Sequence, residues 1–447
     1  MNILRTFPRG GLRPREMKSR SLGRPLRNAF LPSLSIVPLL QHRGSAAECL
    51  VRPRESVREG MLIGRAVGND GSNVHSPVPG VVKSLGTITL PWGESSPAVF
   101  IELGGEFDCI GKPAQVYAWE EFRKDKLLAL LAEKGLVGLG SGIPTERKLA
   151  LSPGKRVKTL IINGMECEPY LCSDTRLLIE KTAEIMEGVH IAAKIVEPLR
   201  RIVAVPSDKK EALAAVKEHL RESCANIELM PLLPKYPLGD ERQLVRAVTG
   251  EETVSGESVL DVGAVVLNVG TVFALYEAVV LQKPLIERSI TIAGKAIGRQ
   301  ENLKVRIGTP LADLVEECGG FTQMPEKIVM GGPMMGWSIA DLSCPVTKTT
   351  SGALFLTSRE IRSSRRTNCL NCGRCIRSCP VGLNPVGLYK KVEHAAYAEA
   401  CSEGILDCNE CGCCAYACPA RIPLVKEIRD GKLALASAAA LDRGEGV

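Results

Sequence analysis

Residues 369–380 read CLNCGRCIRSCP, and residues 408–419 read CNECGCCAYACP. Both follow C-x2-C-x2-C-x3-C-P: Cys369, Cys372, Cys375 and Cys379 before Pro380, then Cys408, Cys411, Cys414 and Cys418 before Pro419. Three cysteines at this spacing let one tight loop present three thiolates to three irons of a cubane, while the fourth leads away from its own loop. The proline ends the turn and redirects the chain. A doubled motif predicts two [4Fe–4S] clusters, each completed by the fourth cysteine of the other motif. A zinc knuckle would use two pairs of cysteines, not a run of four closed by proline. Cys413 lies between ligand positions and is expected not to ligate. The intervening NPVGLYKKVEHAAYAEACSEG has a helical pattern, so the unit is expected to be ferredoxin-like and helix-rich. Two clusters make a short electron path, which requires a donor and an acceptor.

The chain is long enough for two to four domains, and its 447 residues are 45% hydrophobic and 24% charged, as in soluble globular proteins. Aromatic residues are 4%, too few for a surface that binds sugars or single strands by stacking. Charge is uneven. Residues 1–58 carry twelve Lys and Arg against three Glu, a local +9 in a chain of net +7. A basic lead suits a nucleic-acid arm, a transit peptide, a docking surface near anionic lipid, or simply a solvated face. LPSLSIVPLL is too short and proline-broken for a secretion signal. The best candidate span, residues 262–281, contains Asn268 and Glu277 and many β-branched residues, and reads as a buried strand, a turn and a buried helix. Of the seventeen cysteines, those outside the motifs, such as Cys49, Cys109, Cys224 and Cys318, follow no pattern, so reduced thiols are expected rather than a disulfide framework.

Upstream, residues 135–148 read GLVGLGSGIPTERK. Glycines at this density bring backbone N–H groups close to a phosphate or a flat ring, but a plain glycine loop has the same composition. Residues 157–163 form a strand pattern that breaks at Asn163-Gly164, followed by Glu166 and Glu168 and then a helix. Asp240 and Glu241 open a second helix, and AVVLNVGTV ends a strand at Asn268. Carboxylates and amides at the carboxyl ends of strands are where α/β sheets place ligand contacts.

The set GLxGLG…PTxxK, NGxECEP, KYPxGxExQL and NVGT resembles the flavin-binding subunit of respiratory complex I, and more closely the C subunits of Rnf electron-transport complexes. QHRGSAAECLV, VREGMLIGRA and VHSPVPGVV resemble the N-terminal domain of that family, and ERSITIAGKAI with VRIGTPLADLVEECGG its β-grasp domain. VMGGPMMGW and the cysteine motifs follow in the same order. The resemblance implies a multidomain α/β fold. Its parts are a basic lead and barrel-sandwich module over residues 1–120, an α/β flavin and dinucleotide domain over 121–284, and a β-grasp domain over 285–360. A two-cluster ferredoxin-like domain over 361–430 and a tail over 431–447 complete it.

It also implies FMN held by Gly138, Gly140 and Gly142 with Lys148, Asn163, Glu166 and Asn268, and NADH near Glu168 and Glu241. The loop GLGSGIPT is one residue shorter than the family's usual GLGGAGFPT and lacks its aromatic residue. The implied function is an NADH and ferredoxin oxidoreductase subunit of an ion-translocating complex, passing electrons through FMN and two clusters without a dedicated acid–base residue. Its implied partners are ferredoxin and membrane subunits of Rnf type, with no nucleic acid, at the cytoplasmic face of a bacterial inner membrane. Two rivals remain. Cobalamin reductases of the propanediol-utilisation type share these modules but carry the barrel-sandwich last, and an iron–sulfur carrier fused to a flavin-less scaffold would account for the short loop. The barrel-like halves at 57–66 and 75–86 lack a carrier lysine between them, and His75 is expected in a loop.

Overall fold

A computed structural model of the chain describes residues 4–105, 117–152, 154–223, 226–361 and 365–442, so Cys109 and Cys224 lie outside the described residues. The strand Thr159–Asn163 decides the central layer, because TLIIN is apolar on both faces and suits a parallel strand covered from both sides. It pairs in parallel with Arg200–Pro206 on one side and Ala264–Asn268 on the other, and Glu228–Leu232 extends the sheet beyond Arg200–Pro206. Alternate residues feed two cores. Leu160 and Ile162 pack with the helices Thr182–Val196 and Val269–Val280, whereas Ile161 packs with the helix Glu241–Thr249. Strand order reverses between Thr159–Asn163 and Ala264–Asn268, which opens a crevice at their carboxyl ends. The register sets Asn163 directly beside Asn268.

The apolar run at 262–281 becomes the strand Ala264–Asn268 and the helix Val269–Val280, with no separate turn between them. Asn268 both ends the strand and caps the helix, its side chain accepting from the Gly270 N–H.

The N-terminal module is a sandwich of two small sheets. Leu34–Pro38, Ser95–Leu103, Gly80–Thr89 and Ser56–Val57 form one, and Glu48–Cys49, Leu62–Arg65 and Val74–His75 the other. Val37, Ile63, Val82 and Ile101 fill the space between them. His75 is a buried strand residue paired with Leu62, not the loop residue expected. Beyond the parallel sheet, Glu287–Ala293 and Glu301–Arg306 form an antiparallel pair within a six-stranded mixed sheet, packed by the helix Leu311–Glu317. One edge of that sheet is Leu26–Asn28, so this part of the lead belongs here rather than with the sandwich expected for residues 1–120. The cysteine-rich unit is helical, with Arg374–Ser378, Pro385–Glu393, Tyr397–Ser402 and Cys413–Ala417. A final helix, Leu424–Asp442, runs through the boundary expected at 430/431 without a break.

The basic lead is threaded between units. Phe7 is fully buried, Leu12 bridges Tyr236, and the Gly11 N–H donates to the Ser378 carbonyl at 2.9 Å. Gly10 takes φ of +60° against the Cys379 carbonyl, where a side chain would collide. Lys18 is buried and donates to the Glu166 carbonyl, and Arg5 donates to the Val248 carbonyl at 3.0 Å. Lys18 and Arg5 thus tie the lead to the interior, while Arg9, Arg13, Arg15, Arg20 and Arg24 remain exposed.

Three units also meet at a network of largely buried charges. Lys304 reaches Glu277 at 3.0 Å and Glu287 at 2.8 Å, Lys283 pairs with the same two carboxylates, and Arg306 joins Glu287 to Glu59 of the sandwich. Among the described residues no helix is long and apolar enough to cross a membrane.

Candidate functional site

The two cysteine loops fold alike, as their shared spacing requires. Asn371 and Glu410 take positive φ values of 49° and 55°, followed by Gly373 and Gly412 at 66° and 77°. In each loop the N–H two residues on donates to the first sulfur, Asn371 to Cys369 and Glu410 to Cys408, both at 3.4 Å.

Two cavities result. One is lined by Cys379, Cys408, Cys411 and Cys414, and the other by Cys369, Cys372, Cys375 and Cys418. The fourth cysteine of each motif therefore stands in the cavity of the other. Counting space open to solvent, the cavities hold about 350 and 620 Å³. Each cavity thus gathers four cysteine thiols, three from one motif and the fourth from the other, the donor set of a cubane cluster. Cys413 is buried on the wall of the first cavity, where a hydrogen bond with Cys411 and burial push its thiol far above the usual range.

The crevice of the parallel sheet gathers most of the other expected residues. Asn163 donates from Nδ2 to the Gly239 carbonyl at 2.8 Å and accepts from the Met165 N–H. Asn268 donates to Asp174 at 2.6 Å. Glu166 accepts from the Asp174 and Thr175 N–H groups and so caps the helix Ser173–Glu180; burial raises its carboxyl, with Lys18 opposing. Lys148 pairs with Glu241, tying the short helix after the glycine loop to the helix Glu241–Thr249. The glycine loop is a tight turn. Gly138 accepts from the Gly142 N–H and donates to the Ile143 carbonyl, both at 2.7 Å, and the Leu139 N–H donates to Thr271 at 2.9 Å. Gly142 takes φ of +70°, while a Cβ on Gly140 would meet nothing within 4 Å. Beside the loop, Thr145 Oγ1 and Glu146 Oε2 are buried without hydrogen-bond partners. A cradle open at Gly140 with orphaned polar atoms beside it fits a polar planar ligand.

Glu168 parts company with this group. Its carboxylate accepts from the Met334 and Met335 N–H groups at 3.1 and 2.9 Å, and burial raises it to about 7. It lies 3.5 Å from the Tyr236 hydroxyl, which donates to the Cys411 carbonyl at 2.7 Å. Cys167 accepts from the Gly239 N–H at 3.4 Å and packs on Tyr236, Cys411 and Cys413. The crevice loop thus touches the second motif, through Tyr236 and Cys167 on Cys411 and Cys413.

Sequence reasoning missed Tyr236, Asp174 and Arg288. Tyr236 lies in the KYPxGxExQL stretch, and its place there was a usable signal. Arg288 is buried beside Gly270, where burial lowers it against the pull of Asp174 and Glu166, and nothing in its local sequence marks that role.

Comparison with known families divides the chain in the same order. Residues 6–106 match the RnfC barrel sandwich hybrid domain, 131–277 the Nuo51 FMN-binding domain, 289–338 the SLBB domain and 361–419 a 4Fe-4S dicluster domain. The C subunit of a proton-translocating ferredoxin:NAD(+) oxidoreductase complex from Clostridium ljungdahlii is 36% identical over 90% of this chain and 87% of its own. The C subunit of an ion-translocating oxidoreductase complex from Rhodobacter capsulatus is 37% identical over 95% and 82%, respectively. That of the Na(+)-translocating ferredoxin:NAD(+) oxidoreductase complex from Acetobacterium woodii is 33% identical over 97% and 98%. Among solved structures, an NAD+-reducing [NiFe]-hydrogenase chain matches at a TM-score of 0.50 and 16% identity, over 69% of this chain and 61% of that one, a likeness of fold alone.

Proposed function

The chain belongs to the RnfC family, the C subunits of ion-translocating oxidoreductase complexes, and from that membership we propose a route for its electrons. It is an electron-transfer subunit of such a complex, with FMN and iron–sulfur clusters as its cofactors. NAD(H) is the substrate at the crevice, two [4Fe–4S] clusters follow, and ferredoxin stands at the far end of the path, while the membrane subunits of the complex couple that flow to ion movement. The chain sits peripherally at the cytoplasmic face. The observation that carries this reading is the pair of four-thiol cavities, one of which is joined to the crevice loop by the Tyr236 hydroxyl on the Cys411 carbonyl.

FMN supplies the conversion between a hydride pair and single electrons that a one-electron cluster needs. The glycine loop at Gly138, Gly140 and Gly142 would cradle it, and Lys148, Asn163 and Asn268 would hold its polar groups. Glu166 shapes the site by fixing Ser173–Glu180, and Arg288 adds a positive charge beside the start of Val269–Val280. Glu241 lies on the nicotinamide side, and Glu168 between the crevice and the second-motif cavity. Cys369, Cys372, Cys375 and Cys418 hold one cluster, and Cys408, Cys411, Cys414 and Cys379 the other. The working units are those expected at 1–120, 121–284, 285–360 and 361–430, with Leu26–Asn28 and the end of Leu424–Asp442 assigned to the sheet and the helical unit they extend.

The test is anaerobic stopped flow on the FMN-loaded protein. Glu241→Gln should slow flavin bleaching by NADH by about tenfold or more and leave dithionite reduction of the iron–sulfur absorbance unchanged. Equal NADH rates in variant and parent remove the nicotinamide site.

A further inference from the structure

The duplicated motif provides an internal comparison, because two loops with the same backbone carry different surfaces. Position by position, Leu370 corresponds to Asn409, Arg374 to Cys413, Ile376 to Ala415 and Arg377 to Tyr416. The second loop is covered: Cys379, Cys411 and Cys414 are buried, and Met334 and Tyr236 close over it. In the cavity built on the first motif, Cys372 is exposed, Cys369 and Cys375 are half-buried, and only Cys418 is buried. That cavity is therefore the outward end of the electron path.

Around that end the side chains are of two kinds. Leu370 and Ile376 line the cavity and yet remain 65% and 43% exposed. Between residues 365 and 378 the chain has Arg365, Arg366, Arg374 and Arg377, all exposed, and no Asp or Glu. Arg366 is engaged by Glu393 and Tyr389, and Arg377 by the Cys372 carbonyl at 3.0 Å. Arg374 has no acidic partner among the described residues. In the covered loop the charge is opposite and neutralised within the fold, Glu410 pairing with Arg429 and Lys432. Exposed leucine and isoleucine ringed by arginine, over an outward-facing thiol site, match an interface with a small apolar centre and a basic rim.

We propose that the loop Thr367–Ser378 is the docking surface for an acidic one-electron carrier protein, one whose own cofactor edge is ringed by carboxylates. Leu370 and Ile376 supply the apolar centre, and Arg374 leads the charge that selects the partner. This rests on the reading of the two thiol cavities as cluster sites. The corresponding face of the second loop is closed to such a partner by the fold itself, so electrons leave from one end only. Opposite charge across such a surface speeds encounter and makes it depend on salt.

The experiment uses the full chain with its iron–sulfur clusters and FMN reconstituted, and a small acidic bacterial ferredoxin as probe, with binding followed by calorimetry at low and at high salt. The parent should bind at least about tenfold more weakly at the higher salt. Arg374→Glu, and separately Leu370→Asn, which copies the second loop, should each weaken binding by about tenfold or more at low salt. Iron content of both variants, and the reduced-cluster EPR signals of Arg374→Glu, should equal those of the parent. Variants that keep their clusters and bind as the parent does overturn the docking surface alone. A parent that binds anionic phosphatidylglycerol vesicles but not the ferredoxin overturns it as well. A parent that reconstitutes without iron overturns the cluster reading beneath it.

Discussion

Replacing Lys304 by Met should destabilise the junction where the flavin-type helix, the six-stranded sheet and the sandwich meet. Lys304 serves two carboxylates at once, Glu277 at 3.0 Å and Glu287 at 2.8 Å, and both carboxylates are about seven-eighths buried. Methionine keeps most of the stem volume, so the change removes charge more than packing. Breaking a buried ion pair by deleting one partner costs about 3–5 kcal/mol, because the remaining charges stay buried with less compensation. Lys283 and Arg306 remain, which puts the expected loss at the lower end, about 3 kcal/mol. Urea unfolding at pH 7, followed through the buried Trp119, should then show a midpoint lower by about 1–2 M for a slope of about 2 kcal/mol per M.

The same residues predict a pH signature. Burial works to raise Glu287, but Lys304, then Lys283 and Arg306, more than offset it and hold the carboxyl well below its usual 4.5; Glu277 is held down in the same way. Carboxylates depressed in the folded state stabilise it above about pH 4.5, and that contribution is lost as pH falls. In Lys304→Met both carboxylates lose their strongest partner, so acid unfolding should begin at higher pH than in the parent. The exposed pair Lys155–Asp261 is the control, and Lys155→Ala should leave the urea midpoint where it was. A Lys304→Met protein with the parent's urea midpoint and acid midpoint would refute the view that this network holds the units together.

Two further outcomes follow from open and closed space around single residues. Gly140→Ala should fold with the parent's thermal stability, since its Cβ meets nothing within 4 Å, but should retain less FMN after gel filtration; unchanged flavin content would mean the cradle lies elsewhere. Cys413→Ser should keep the parent's iron content, because the cavity it lines already has Cys379, Cys408, Cys411 and Cys414; loss of about half the iron would make Cys413 a ligand.

The parts of this architecture legible in the sequence are those set by local pattern. The apolar run ending at Asn163, the Asp240 cap of Glu241–Thr249 and the two C-x2-C-x2-C-x3-C-P loops each depend on residues close in the chain. What the pattern concealed depends on distant contacts. Lys18 and Phe7 look like a loose basic lead and yet lie buried against residues more than a hundred positions away. Strand Leu26–Asn28 is three residues long, too short for periodicity, and is defined only by pairing with Glu301–Arg306. His75 carries a polar side chain in a two-residue strand, where burial is decided by the sandwich around it. Glu168 sits two residues from Glu166 in one motif, but the loop between them turns it toward Met334 and the cysteine unit.

The central claim, that electrons cross two clusters each completed by the other motif, is tested most directly by EPR of the reduced protein in four single variants. Cys418→Ser and Cys375→Ser line the same cavity and should perturb the same cluster signal, while Cys379→Ser and Cys411→Ser should perturb the other. If Cys418→Ser instead damages the signal lost in Cys411→Ser, each loop ligates its own cluster and the crossed arrangement is wrong.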